Sequence, residues 1–487
     1  MSHKSAFIRL RPGPALDFYE RNREAFMLAA FILAGALLGV MPAGRRIFAA
    51  GWLLLLCLSV FLVNRPFYLF LLTLFLVPMP DLIPAAMLTN VNIFVTLLFV
   101  LVLSRELVTR TDLRIKITEP GVLFILFAIV CGFYLYPVYT GAPAYFRASM
   151  TNWVLLVMGM TMYFFGLYFI GDGRRLNQAL AVMLAAALAI SLFNVLIYVY
   201  FMKTFGVYSL YKLRELTYSL PAMRYIGMLY GNPNVVGGFI AYVASFLAGY
   251  VFVNRKLWKP AAALGAVYLA AIVLIASRSA LLGAFVPILI FFVLHLKARR
   301  TLRWVVVTHL FLFAAALIFT LYFLVPVEYN VIKYTFAEGG PDPSTMQRLV
   351  LWKGIAKWLA ENPWGFGYFA FKFRDVLHFS PNLELEISPP DMTPHSAYFD
   401  VMLDSGIPGF LLFAAGFFLV IRKAFAVYRG GGDVRYRAAA FGVFCALCTV
   451  SLLFVTNMQQ RVVTFMGYVW FMACLPHKID DLIKSGK

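Results

Sequence analysis

Apolar runs of about 17 to 25 residues, separated by short basic or polar connections, repeat along most of this chain; wound as helices, runs of that length match the thickness of a bilayer interior. They fall at about 26–42, 48–63, 66–79, 85–104, 119–136, 152–170, 177–202, 233–253, 260–276, 280–296, 304–324, 397–421, 438–456 and 461–475. The pattern predicts an all-α, polytopic membrane protein with about 12 to 14 transmembrane helices. The lower count applies if the short N-terminal runs merge or lie on the surface.

One stretch breaks the pattern. Residues 325–396 are mostly polar and form one large loop domain between an N-terminal set of spans (1–202), a central set (203–324) and the C-terminal spans and tail (397–487). Inside the loop, Ser344 followed by Gln347 resembles a capping box, and Leu349, Trp352, Ile355 or Ala356, and Leu359 share a face. That spacing predicts a helix over 344–362, ended by Asn362-Pro363, with its apolar face on the membrane domain and Arg348, Lys353 and Lys357 around the rest. Gly365-Phe366-Gly367 then gives a tight turn with exposed backbone N–H groups, a weak signal for an anion.

Composition agrees with the pattern: 62% of the residues are hydrophobic and 13% charged, against about 45–50% and 25% in a soluble domain. The net charge of +20 does not point to nucleic acid, because the basic residues are spread between helices. There they read as topology signals, as attraction to membrane lipids, and as a site for an anionic substrate. Basic connections at 105–118, Arg174-Arg175, Arg255-Lys256, Lys297–Arg303 and Arg422-Lys423, with Lys478, Lys484 and Lys487, put both termini in the cytoplasm and the 325–396 loop outside, with Arg147 in an outer loop. The first 24 residues lack the apolar core of a cleaved leader, so an uncleaved N-terminus is expected. Cys57, Cys131, Cys445, Cys448 and Cys474 lie in or beside apolar runs and read as small hydrophobes; the Cys445/Cys448 spacing is weak evidence for redox chemistry.

The outer loop 203–232 carries Lys203, Lys212, Arg214 and Arg224 on the side where basic residues are disfavoured. Arg224 precedes Gly231-Asn232-Pro233-Asn234 at a helix start, where free N–H groups and the helix dipole favour an anion; a topology-neutral arginine before an ordinary turn is the plainer reading. Ser277-Arg278-Ser279 divides two apolar runs with almost no loop, and an arginine there is costly unless it has a partner or a function, although a tight interfacial turn would also produce it. His395 is held by a helix start ahead of Tyr398, which suits a general base as well as a structural histidine. The sequence carries no evident metal signature and calls for no cofactor. If a diphosphate is handled, positive side chains would have to neutralise it.

The Arg224-x-x-Gly227 element with Pro233-Asn234, the Ser277-Arg278 pair, the Gln347-Arg348-x-x-x-Trp352 helix ending in Asn362-Pro363, and His395-x-x-Tyr398 trailed by Gly406-x-x-Gly409 occur in order around one large outer loop. Together they resemble the O-antigen ligase and polymerase superfamily, which includes lipopolysaccharide O-antigen ligases, O-antigen and exopolysaccharide polymerases and related protein O-oligosaccharyltransferases. The resemblance implies a multi-pass bacterial inner-membrane glycosyltransferase with a periplasmic loop. Such an enzyme moves a glycan from a polyprenyl (undecaprenyl) diphosphate carrier to an acceptor hydroxyl on a glycan or on lipid A-core, with inversion, without a metal, and alongside polysaccharide assembly partners. On that basis Arg224 and Arg278 would grip the diphosphate, with Arg348 joining them, and His395 would orient or deprotonate the acceptor. Tyr398 and the loop helix with Gln347 would shape the acceptor side, while Asn234 and Arg214 lie among the substrate-binding candidates. A transporter or flippase of lipid-linked sugars remains the alternative; it would use similar basic cavities without needing His395.

Overall fold

The computed structural model describes residues 66–78, 98, 117–141, 143–205, 233–275, 277–298, 343–368, 395–456 and 463–486, some of them, Arg278 and Gln347 included, by their backbone only. Among them the chain is helical: α1 (Pro66–Leu76), α2 (Glu119–Phe133), α3 (Leu135–Gly141), α4 (Pro143–Phe169), α5 (Gly173–Phe205), α6 (Pro233–Val253), α7 (Trp258–Ile275), α8 (Arg278–Ala298), α9 (Pro343–Glu361), α10 (Ala397–Arg429), α11 (Val434–Thr456) and α12 (Val463–Ser485). Seven membrane-length apolar spans are found among the described residues, five of them within α4, α5, α6, α10 and α11, the others running through α2–α3 and into α7. Arg147 belongs to α4 and Arg422-Lys423 to α10, so these basic residues ride on helix turns rather than on connections.

α6 and α11 form the centre of the bundle, each with 72% of its most apolar window buried. Small residues permit that. A Cβ added at Gly249 of α6 would lie 2.9 Å from the Cα of Gly442, and one added at Gly442 would lie 2.7 Å from the Phe246 carbonyl. Between membrane helices no hydrophobic effect drives association, so such close backbone approach supplies packing that lipid cannot match. Around this centre Trp470 of α12, fully buried, meets Phe124, Phe413 and Phe417 edge-on or tilted, which ties α2, α10 and α12 together. The four described cysteines are free thiols, three of them buried, and Cys445 lies 2.9 Å from where a Gly249 Cβ would sit.

Three of the described helices carry an interior proline, Pro287 in α8, Pro408 in α10 and Pro476 in α12, and in the first two the disruption is met by other parts of the protein. In α8, Pro287 lacks the N–H that would bond the Gly283 carbonyl. The hydroxyls of Thr449 (α11) and Ser245 (α6), 2.8 Å apart, both reach that carbonyl, at 3.3 and 3.5 Å. In α10, Gly406 leaves helical geometry at φ 68°, ψ 177°, two residues before Pro408. The 33 residues of α10 would span about 50 Å unbroken, well beyond the ~30 Å hydrocarbon layer; the break divides it into Ile407–Arg429, long enough to span on its own, and the short helix Ala397–Ser405.

The bundle has two distinct ends. Gly173 abuts Tyr436, and Gly432 abuts Ile483. With the Gly249–Gly442 crossing, this gathers Arg174, Arg175, Arg255, Lys256, Arg429, Arg435 and Arg437 at one end. There Asp480 is held by Lys423 at 2.6 Å and by Lys484 at 2.7 Å. The opposite end carries the starts of α6, α8 and α10 and the loop helix α9.

Candidate active site at the loop-bearing end

α9 runs over Pro343–Glu361, close to the expected span, but it begins at Pro343. Proline suits the first helical position, so Ser344 sits inside the first turn rather than ahead of it as a cap. The buried stripe is Leu351, Ile355, Trp358 and Leu359, packed on Leu403 with Phe366, Phe399 and Met402 alongside. This corrects the expected face in part: Ile355 and Leu359 belong to it, Leu349 is 50% exposed, and Ala356 is exposed. The docking partner, the short first part of α10, decides which of two apolar stripes is covered.

The two helices run parallel. The Trp352 and Phe399 rings are 6.0 Å apart, and the chain after α9 reaches the α10 break at Gly406. There the Phe366 N–H donates to the Leu403 carbonyl at 2.7 Å, and the Ile407 N–H donates to the Pro363 carbonyl at 2.9 Å. In an unbroken helix Leu403 and Ile407 would bond each other. The loop therefore inserts its own backbone between them, and the Phe366 N–H is committed to a protein carbonyl rather than free for an anion. Tyr368 continues the anchoring by donating its N–H to the Tyr134 carbonyl at 3.1 Å.

His395 sits at the free end of this helix pair, immediately before the α10 cap residue Ser396, and has a positive φ of 49°, uncommon for a side-chain-bearing residue. Burial, and secondarily the positive charge of Arg348 from α9, lower its pKa below the ordinary histidine value. Both effects disfavour the imidazolium, so a neutral ring able to accept a proton persists to lower pH. Ser396, buried, directs its hydroxyl to the Phe454 carbonyl at 3.4 Å, which ties the α10 start to the end of α11. Tyr398 packs edge-on against Phe410 and Phe454 and donates its hydroxyl to the Ser451 carbonyl at 3.0 Å, so its phenol anchors α10 to α11.

A second cluster lies on the other side of α11. Ser277 caps α8: its Oγ accepts from the Ala280 N–H at 3.3 Å, two positions after Arg278. The same hydroxyl donates to Asn234 Oδ1 at 2.8 Å, joining the start of α8 to the start of α6. Gly237 keeps the two backbones close, since a Cβ there would lie 2.8 Å from Ala280 Cβ. Both clusters border the last turns of α11: Leu453 faces Gly283, and Phe454 faces Tyr398. The structure thus brings Arg348 to His395 and Asn234 to the Ser277-Arg278 element. Arg224 and Arg214 lie outside the described residues, as do the side chains of Arg278 and Gln347. The roles of Ser277 as cap and of Pro363 and Phe366 as backbone partners escaped the sequence reading; a Ser ahead of a helix and a Gly-x-Pro inside one were their only signals.

The fold and this end of the bundle define a class: a polytopic helical membrane protein that presents a histidine and basic side chains at one end under a docked loop helix. Residues 263–414 match the family model described as O-antigen ligase, and this supports the superfamily to which the motifs point. The match takes in Ser277-Arg278, α9, His395, Tyr398 and Gly406, while Arg214, Arg224 and Asn234 precede it. It supports, at the coarse level, a membrane enzyme of O-antigen ligase-type glycosyl transfer. No curated protein matches the chain.

Proposed function

We propose that this chain transfers an oligo- or polysaccharide from an undecaprenyl diphosphate carrier to an acceptor hydroxyl, as an O-antigen ligase or as an O-antigen or exopolysaccharide polymerase. The observation that carries this reading is the imidazole of His395, kept neutral at a helix start by burial and by Arg348. Its ring nitrogen accepts the acceptor's hydroxyl proton as that oxygen attacks the anomeric carbon from the face opposite the diphosphate. The bond from the anomeric carbon to the phosphate oxygen breaks, its electron pair leaves with the carrier diphosphate, and the configuration inverts. Negative charge grows on the leaving group, where Arg224, Arg278 and Arg348 would stabilise it in place of a divalent cation. The N-terminus of α6 at Asn234 and the basic residue Arg214 add to the donor side, and Gln347 to the acceptor side.

The same end-to-end contrast supports an orientation. The basic end that holds Arg429, Arg435 and the Lys423–Asp480–Lys484 group faces the cytoplasm by the positive-inside rule, and the 325–396 loop faces the periplasm. The test is turnover of a purified, lipid-embedded protein with a polyprenyl diphosphate-linked glycan and candidate acceptors, with and without a chelator. His395→Ala should lower turnover by at least about 100-fold, the usual reach of a general base, while carrier binding is retained. Unchanged turnover sinks the base role, inactivation by the chelator sinks metal independence, and wild-type donor handling in Arg224→Ala and Arg278→Ala places the anion site elsewhere.

A further inference from the structure

Arg348 lies on α9, and His395 immediately precedes the cap of α10. The docking of α9 on the first part of α10 brings the two to the same end of the helix pair. That docking has an apolar seam, Leu351, Ile355, Trp358 and Leu359 against Leu403, which resists separation but permits sliding. Apolar contacts carry little directional information. The junction at the far end of the seam is directional: two backbone hydrogen bonds, Phe366 to Leu403 and Ile407 to Pro363, fit only one register. One residue of slip along a helix moves it about 1.5 Å and would misalign both. The junction is also sterically closed. A Cβ at Gly365 would lie 2.6 Å from the Gly406 nitrogen and 2.8 Å from the Leu403 carbonyl, and one at Gly406 would lie 2.6 Å from the Trp364 carbonyl.

We propose that the Gly365/Gly406 junction is a positioning element for the reaction: by locking the register of α9 on α10 at one end of the seam, it holds Arg348 against His395 at the other. Gly365, Phe366 and Gly406 act through that pair and touch no substrate. The inference deepens the proposed function and rests on it for the catalytic consequence alone; the positioning itself can be read from His395 directly. The charged groups on the packed elements are Arg348, Lys353, Lys357 and Glu361 on α9 and Asp400 and Asp404 on α10, with Tyr398 also titratable. The end of α11, through Thr456, contributes only Ser451, Thr456 and carbonyls. Of these, Arg348 is the charge that bears on the imidazole.

The experiment titrates His395 by NMR in full-length, histidine-labelled protein, its signal assigned by its loss in His395→Ala. Three variants are compared: Arg348→Gln, Gly365→Ala, and Phe366→phenyllactate. The last, introduced by nonsense suppression, deletes only the N–H that bonds Leu403 and adds no bulk, so it keeps the test open if Gly365→Ala fails to fold. Each should raise the His395 pKa toward the ordinary value, and the junction variant combined with Arg348→Gln should raise it no further than Arg348→Gln alone. The acid limb of transfer should move up with it, leaving a smaller fraction of plateau activity at pH 6. An unmoved His395 titration in the folded phenyllactate variant overturns the positioning role, as does a shift that adds in full to that of Arg348→Gln. A moved titration with an unmoved acid limb upholds the positioning and instead removes His395 as the base.

Discussion

The breaks in α8 and α10 solve one problem in two ways. Each helix loses a backbone hydrogen bond at membrane depth or near it, where an unsatisfied polar group costs several kcal/mol. In α8 the Gly283 carbonyl freed by Pro287 is covered by side chains, Thr449 and Ser245, from two neighbouring spans. In α10 the groups freed at Gly406 are covered by the backbone of the loop. Side-chain repair leaves each helix where packing already put it, and a hydroxyl can rotate to follow small movements. Backbone repair fixes two chains in one register, so a break repaired that way can carry position from a loop into a span. The α10 break lies at the end of the seam that leads to His395; the α8 break lies in the bundle core, against α6 and α11.

The largest effect should come from filling the α10 junction. Gly406→Val places a β-branched residue at φ 68° with its Cβ 2.6 Å from the Trp364 carbonyl, a clash with backbone that no rotamer relieves. Strain at such a position and displaced packing together should cost about 3 kcal/mol or more. Thermal unfolding in detergent should shift accordingly, with transfer reduced at every pH. A variant that unfolds like wild type would show that the loop gives way at little cost, and the contrast with α8 would lose its basis.

Thr449→Val with Ser245→Ala is the matching change at α8. It leaves the Gly283 carbonyl without either hydroxyl and should cost about 1–2 kcal/mol, more than the sum of the single changes, because each hydroxyl can stand in for the other. The single Ser245→Ala, which loses the 3.5 Å contact to Gly283, the 2.8 Å bond to the Ala241 carbonyl and the 2.8 Å contact with Thr449 but leaves Thr449 on the Gly283 carbonyl, should cost less, about 0.5 kcal/mol. Both are read from unfolding midpoints, and neither should move the His395 titration. A shift there would mean that the side-chain repair also transmits position.

Much of this was legible in the sequence, because membrane helices declare themselves by apolar length and prolines mark their starts. Pro233 and Pro343 each open a helix, and the polar loop ends where α10 begins at Ala397. The loop helix was legible too, but not its buried face. Leu349 and Leu351 both sit on apolar stripes, and only the first part of α10 at Leu403 selects between them. Basic residues misled about boundaries: Arg147 and the Arg422-Lys423 pair read as connections but continue helices, since a helix need not end where the lipid does. Least legible were the repairs. Gly365 and Gly406 each read as local turn or motif glycines, and nothing local states that they meet. Pro287 announced a freed carbonyl in α8, but its partners Ser245 and Thr449 lie in other spans and are unexceptional there.

The smallest effect separates the two breaks by pH. The folded protein holds His395 below its ordinary pKa, so the unfolded chain binds the proton more tightly. Stability should therefore be complete above the unfolded value near 6.5 and decline as pH falls from there to the folded pKa. Arg348→Gln removes the lesser of the two causes and should shallow that decline. The change is a fraction of the ~1.4 kcal/mol that a tenfold difference in proton affinity carries, because burial remains. Gly283, Ser245 and Thr449 have no group that titrates in this range, so variants at the α8 break should shift unfolding by the same amount at pH 5 as at pH 8. Unfolding midpoints of Arg348→Gln and Thr449→Val measured at both pH values check the pair. If the Arg348→Gln decline is as steep as wild type, the guanidinium does not reach the imidazole, and the register held at Gly406 would have no electrostatic consequence at His395.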